Sequence, residues 1–219
     1  MKTAYEETFE CSEGLADPAR EHQMEHYLSE TDRAAVDQLA ERYKGLIPPE
    51  RIEAVRQNDS IFIGDREMFD AVREYETGEK PEPGSKVLGY SMGASESPRI
   101  ATDYLEVPRV IEHERLHQLS EPGVEKELGS RLDEGITEDL AIDNLGAEPL
   151  EGDGKTYPEE RNAAHELREL CGNEAVERAY FQGDTQALRA CMDRALGPQG
   201  LEQLLNKLGD PAQELEQRR

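Results

Sequence analysis

Apolar residues are scarce in this chain of 219 residues: they make up 36%, tryptophan is absent and aromatic residues reach only 5%. The Leu, Ile, Val and Ala that remain fall in periodic clusters, which is enough for one ordinary domain with a small helical appendage. Basic residues are also few, with 25 Lys and Arg against 49 Asp and Glu and a formal net charge of −24. Such a surface repels phosphates, which excludes a conventional nucleic-acid binder, and it argues equally against docking on an anionic membrane. No apolar run approaches the roughly 18 residues of a membrane span. The opening Met1-Lys2-Thr3-Ala4-Tyr5-Glu6-Glu7 lacks the apolar stretch of a standard signal peptide. These absences predict a protein that is cytoplasmic, or exported without a cleavable signal. Cysteine is limited to three well-separated residues. The count predicts reduced thiols, with a Cys171–Cys191 bridge between two helices as the alternative. The acids themselves are spread along the whole chain, as in Glu125, Glu127 and Asp133, and read as solvated helix faces or as salt adaptation.

Residues 1–16 have weak periodicity and are expected to form an N-terminal arm. Residues 17–57 have helical spacing. Ser29-Glu30-Thr31-Asp32 offers capping side chains ahead of Ala35, Leu39, Ala40 and Tyr43, and Pro48-Pro49 starts a short third helix. Short strands are predicted at 60–64, 87–92 and 99–102, with a helix at 66–75 and a loop marked by Pro81, Pro83 and Gly84. A helix begins near Pro108, and everything after residue 119 reads as helical, ending in a polar tail at 210–219. The fold expected is α+β, a single domain over 17–209, with a small mixed sheet between helical N- and C-terminal parts.

Two of the five histidines fall in His113-Glu114-Arg115-Leu116-His117. On a helix, positions i and i+4 lie one above the other on one face, so two imidazoles there can bind one zinc ion. Glu114 then reaches the open side of the metal as a general base. A catalytic site needs a third protein ligand. Downstream, Glu134-Gly135-Ile136-Thr137-Glu138 carries two carboxylates one helical turn apart. One can bind the metal while the other accepts a hydrogen bond from a ligand histidine. His22 and His26 form a second i, i+4 pair with no third ligand nearby and read as a solvated face.

H-E-x-x-H followed by E-G-x-T-E on a second helix resembles the gluzincin branch of the zinc metallopeptidases. The resemblance covers about residues 85–140 and implies a zincin-like fold and peptide-bond hydrolysis of a peptide or protein substrate. It assigns Zn²⁺ to His113, His117 and Glu134, the base to Glu114, and the orienting carboxylate to Glu138. The shorter interval between the motifs keeps Glu138 open as the ligand instead. The short chain is more similar to compact single-domain zincins of bacteria and of secreted effectors. The strand at 87–92 would be the edge above the active-site helix, free to pair with an extended peptide, and Tyr157 and His165 are candidate donors to an oxyanion. Cys11 is a conceivable fourth zinc ligand in a latent state. Two other functions fit the sequence: a zincin fold that binds without cleaving, against which the intact Glu114 argues, and an acidic binding protein whose motif carries no metal.

Overall fold

The computed structural model describes residues 18–80, 87–102, 107–146 and 158–209. The N-terminal arm, Cys11, the loop at 81–84, Tyr157 and the tail at 210–219 lie outside them. Helix α1 (Pro18–Arg42) is followed by α2 (Pro49–Arg56), β1 (Ile61–Ile63), α3 (Arg66–Thr77), β2 (Gly89–Tyr90) and β3 (Arg99–Ala101). The rest is helical: α4 (Val107–Leu119), α5 (Val124–Leu128), α6 (Ser130–Leu145), α7 (Pro158–Cys171), α8 (Asn173–Gln182), α9 (Gln186–Leu196) and α10 (Gly200–Leu208). The coarse expectation of mixed α+β architecture therefore holds, with helix dominant.

The capping side chains at 29–32 start no new helix, because α1 runs through them. Thr31 Oγ1 donates back to the carbonyl of Tyr27 at 2.9 Å, which a continuous helix allows. Asp32 turns inward and lies on the same buried face as Leu28, Ala35, Val36 and Leu39.

Strand β3 is central. It pairs with β1 in parallel, Phe62 opposite Ile100, and with β2 antiparallel, Gly89 opposite Ile100. All three strands are shorter than the sequence predicts, and the one expected over 87–92 pairs only at Gly89–Tyr90. A ladder can extend no further than its partner, and β3 is three residues long. Gly93, at φ 118°, then turns the chain away.

Three apolar clusters make the core. The largest joins the C-terminal helices to the inner faces of α1, α2, α4 and α6. A second packs α1 on Val107, Val110 and Ile111 of α4 and on Ile100 of β3. A small third seats Phe69 of α3 on the sheet. The cysteines correct an expectation: composition predicts reduced thiols, but Cys171 and Cys191 form a disulfide linking α7 to α9. The C-terminal end of α7 packs beside the middle of α9, so the sulfurs come within bonding reach. Closing a loop of 20 residues restricts the unfolded chain, an effect of about 3 kcal/mol for a loop of this size.

Where α1, β1 and α4 meet, the core is polar. Arg115, 2% exposed, donates from Nε and Nη2 to the two oxygens of Asp32, 1% exposed, at 2.7 and 2.5 Å. The same carboxylate accepts from the backbone N–H of Ser60 at 2.9 Å and from its hydroxyl at 3.0 Å. Arg115 also donates to Gln118 Oε1 at 2.6 Å, and the Gln118 amide donates to the carbonyls of Gly93 and Glu96. The charged groups of Asp32 and Arg115 are both met within this network, which makes their burial tolerable. Replacing Asp32 with Ala strands a buried guanidinium, so Asp32→Ala should lower the unfolding free energy by about 3–5 kcal/mol in a denaturant titration. The double change Asp32→Ala with Arg115→Met should recover much of it. A loss under about 1 kcal/mol for the single change, the size expected of an exposed pair, would contradict this account.

Candidate metal centre

Helix α4 is enclosed on most sides, by α1, the sheet and α6, and so buries Val107, Val110, Ile111, Leu116 and Leu119 around much of its circumference. The strip left over carries His113 and His117, whose side chains are 12% and 19% exposed. Their Nε2 atoms lie 3.2 Å apart. Helix α6 crosses this strip. Glu134 brings Oε2 to 3.3 Å from His113 Nε2 and Oε1 to 3.4 Å from His117 Nε2. Beside it, Gly135 has a packing reason: a Cβ there would stand 2.2 Å from the carbonyl oxygen of Glu160 in α7. The glycine of the Glu-Gly pair thus admits α7 against α6.

The far side of each imidazole is also occupied. Glu138 Oε2 is 3.1 Å from His113 Nδ1, and its Oε1 is 3.2 Å from Arg109 Nη2. Asp133 Oδ2 is 3.4 Å from His117 Nδ1, with Thr137 Oγ1 at 3.5 Å. Thr137 donates its hydroxyl proton to the carbonyl of Asp133, so at 2.7 Å it accepts from the buried Tyr180. Carboxylates on both Nδ1 atoms fix the tautomers with the proton on that side. The Nε2 lone pairs then face each other and an anionic carboxylate.

Three acceptors in mutual contact call for a cation. Glu134 Oε2 is buried with no partner in hydrogen-bond geometry among the described residues. Nitrogen and oxygen ligands about 2.0–2.1 Å from a tetrahedral zinc stand about 3.3–3.4 Å from one another. The three edges here are 3.2, 3.3 and 3.4 Å. His113, His117 and Glu134 are the group among the described residues that could hold a metal ion, and their donor types suit zinc.

The electrostatics of the metal-free cluster follow the same geometry. Burial alone would lower the His113 imidazole, but Glu134 and Glu138 outweigh it and lift it to about 9. Burial likewise opposes protonation of His117, and Glu134 and Asp133 raise it well above its ordinary value. Burial would raise the Glu134 carboxyl, yet the two imidazoles hold it far below the usual carboxylate range. Glu114 differs: burial pushes it up to about 6, against the opposing pull of His113 and His117.

Glu114 lies with the two histidines and Glu134 in a cleft of about 720 Å³. One wall is β2 and the turn Met92-Gly93-Ala94, and another is the segment 120–125. A Cβ on Gly89 would meet Glu114 Oε1 at 2.6 Å and Val110 Cγ1 at 2.8 Å. Only glycine lets β2 lie this close to α4.

Not every residue singled out in the sequence joins the site. His165 sits on α7 with its side chain 53% exposed, 3.4 Å from Asp139 and 3.8 Å from Glu169, and does not line the cleft. Tyr157 lies outside the described residues. His26 is exposed and pairs with Glu30 at 3.4 Å. Asp133, whose sequence context predicts a solvated face, is buried against His117. That Asp133, Thr137, Tyr180 and Arg109 support the site is not expected from the sequence. The available signals were weak: Asp133 and Thr137 are one turn apart on α6, and Arg109 is one turn before His113.

No protein-family model matches the chain, and neither the curated proteins nor the solved structures give a match.

Protons and metal compete for this cluster. The raised histidine pKa values stabilise the metal-free fold fully below the ordinary imidazole value, and that contribution is lost as pH rises through about 9. The depressed Glu134 contributes above the ordinary carboxylate value and is lost as pH falls through its own lower range. Zinc affinity should therefore weaken steadily as pH drops from about 9 to about 6, with at least about one proton released per ion at pH 7. Calorimetry in buffers of different ionisation enthalpy reads that number, and a pH-independent affinity would overturn the scheme. The two glutamates should also separate. Glu134→Ala should abolish tight zinc binding, whereas Glu138→Ala should weaken it by roughly 10–100-fold, as loss of an outer partner does. Competition with a chromophoric chelator measures both, and the reverse order would reassign the ligand.

Proposed function

We propose that this protein is a zinc-dependent peptidase on a compact zincin-like fold, with His113, His117 and Glu134 as ligands and Glu114 as the base. The observation that carries the reading is the triangle of Nε2, Nε2 and carboxylate, with edges of 3.2–3.4 Å, on the floor of a cleft that Glu114 also lines. Zinc held there supplies Lewis acidity and lowers the pKa of a water. The chain's own groups do the rest. Glu114 is 4% exposed and makes no hydrogen bond among the described residues, so its carboxylate is free to act. Burial pushes that carboxyl above its ordinary value, which suits a group that takes a proton from the attacking water near neutral pH and returns it to the leaving nitrogen.

The substrate is an extended peptide. Strand β2 is an edge of the sheet and borders the cleft. A peptide that adds itself to that edge would carry its carbonyls past Glu114, with main-chain hydrogen bonds giving affinity without sequence. Gly89 sets the depth at which such a peptide would lie. Tyr157 stays a candidate donor to the developing oxyanion, whereas His165 is not among the residues that line the cleft and is not assigned that role. No described helix is long and apolar enough to cross a membrane, and the Cys171–Cys191 disulfide favours work in an oxidising compartment.

Glu114→Gln keeps the size of the side chain and removes the base. It should leave zinc content unchanged and lower kcat by about 10²–10⁴-fold. Incubating both proteins with a diverse peptide mixture and reading the products by mass spectrometry tests this. Cleavage that survives both Glu114→Gln and a zinc chelator would refute the mechanism.

A further inference from the structure

The charge around the cleft is more one-sided than the chain as a whole. Among the described residues six carboxylates line it: Glu79, Glu114, Glu121, Glu125, Asp133 and Glu134. The Lys or Arg among the described lining residues is Arg73, whereas the whole sequence has 25 basic residues to 49 acidic. Arg73 is already paired with Glu79 at 3.1 Å. At the opposite wall, Glu121 is bonded by Arg51, which also donates to the carbonyls of Leu119 and Phe181 and so is held beneath the wall. Glu125 is exposed on α5 at the same wall. A divalent ion among Glu114, Asp133 and Glu134 would offset two of their three negative charges. Pairing Arg73 with Glu79 and Arg51 with Glu121 leaves Glu125 uncompensated. The loaded cleft is therefore still anionic, with one excess charge among the metal-cluster carboxylates and a second, on Glu125, at the wall formed by residues 120–125.

Acidic residues alone would mean little in so acidic a protein. Here they surround a concavity into which a buried carboxylate, Glu114, projects without a hydrogen-bond partner among the described residues. The cleft is thus shaped to receive a ligand, and its two ends differ in charge. Long basic side chains suit such a wall, since their methylene stems cover apolar surface such as the exposed Pro122 while the head group meets the carboxylates.

We infer that the substrate class is cationic: peptides carrying Lys or Arg at a position that falls against the wall formed by residues 120–125, with Glu125 selecting for that charge. The inference rests on the proposed peptidase reading, and its test separates the two.

The test uses zinc-loaded protein and a neutral, internally quenched peptide scaffold in which one residue at a time is Lys, Gln or Glu. At one position kcat/KM should be about tenfold higher for Lys than for Glu. The ratio should fall towards one in high salt, as screening shortens the range of the interaction. Glu125→Lys should remove or invert the preference at that position while zinc content stays at the wild-type level. Equal rates for Lys and Glu at every position, or a preference that Glu125→Lys leaves unchanged, would overturn the inference. If the zinc-loaded protein cleaves no peptide, the hydrolytic reading fails and the charge preference is still measurable. Fluorescence anisotropy of the same peptides on Glu114→Gln should then show Lys bound more tightly than Glu, and equal or reversed affinities would overturn the cationic class by themselves.

Discussion

The buried pairing of Asp32 with Arg115 is the constraint around which the rest is arranged. A guanidinium this deep has to be met by a carboxylate in two-point geometry, and that fixes both partners to within a fraction of an ångström. It sets the rotation of α4 on α1, because Arg115 can reach Asp32 from one face only. With Arg115 committed inward, the residues two before and two after it, His113 and His117, emerge together on the other side. The same carboxylate anchors the start of β1 through Ser60, and Gln118 carries the network to the Gly93–Glu96 turn that borders the cleft. Sheet, helix and cleft rim are thereby registered on one ion pair.

Around the metal-capable triangle the polar groups are ordered in shells. Glu134 faces the Nε2 atoms, while Glu138 and Asp133 face the Nδ1 atoms. Arg109 steadies Glu138, and Tyr180 steadies Thr137. Three carboxylates this close would repel one another, and the Arg109 guanidinium alone leaves two of their charges to be met at the imidazoles. A divalent cation supplies the same two positive charges as the imidazole protons it displaces, at the centre of the triangle, which is a physical reason for the same residues to bind metal.

How much of this was legible in the sequence depended on the reach of each interaction. The i, i+4 histidines and the Glu134–Glu138 step are local patterns, and α4 and α6 formed where those patterns implied. Choosing Glu134 over Glu138 needed the crossing of two helices, which no local spacing encodes. Asp32 looked like a cap because a short polar side chain before an apolar run is ambiguous, and its partner lies 83 residues away. The strand at 87–92 was overcalled because alternation reports a pleated surface, whereas ladder length is set by β3. Asp133 was hidden among many surface acids, and only the packing of α6 against α4 distinguishes it. The disulfide depended on the packing of α7 beside α9, so cysteine counting pointed the other way.

The disulfide also governs how the C-terminal half can come apart. Helix α8 lies wholly within the loop that Cys171 and Cys191 close, and it carries Tyr180 and Phe181 into the core. Helix α10 lies beyond the crosslink and can fray by itself, whereas α8 cannot be peeled away as a free end. Partial unfolding from the C-terminus must halt at Cys191 or open α7, α8 and α9 together. The backing of His117, through Thr137 to Tyr180, therefore belongs to a cooperative unit whose opening approaches global unfolding in cost. Fraying of α10 is thereby insulated from the geometry of the ligand set.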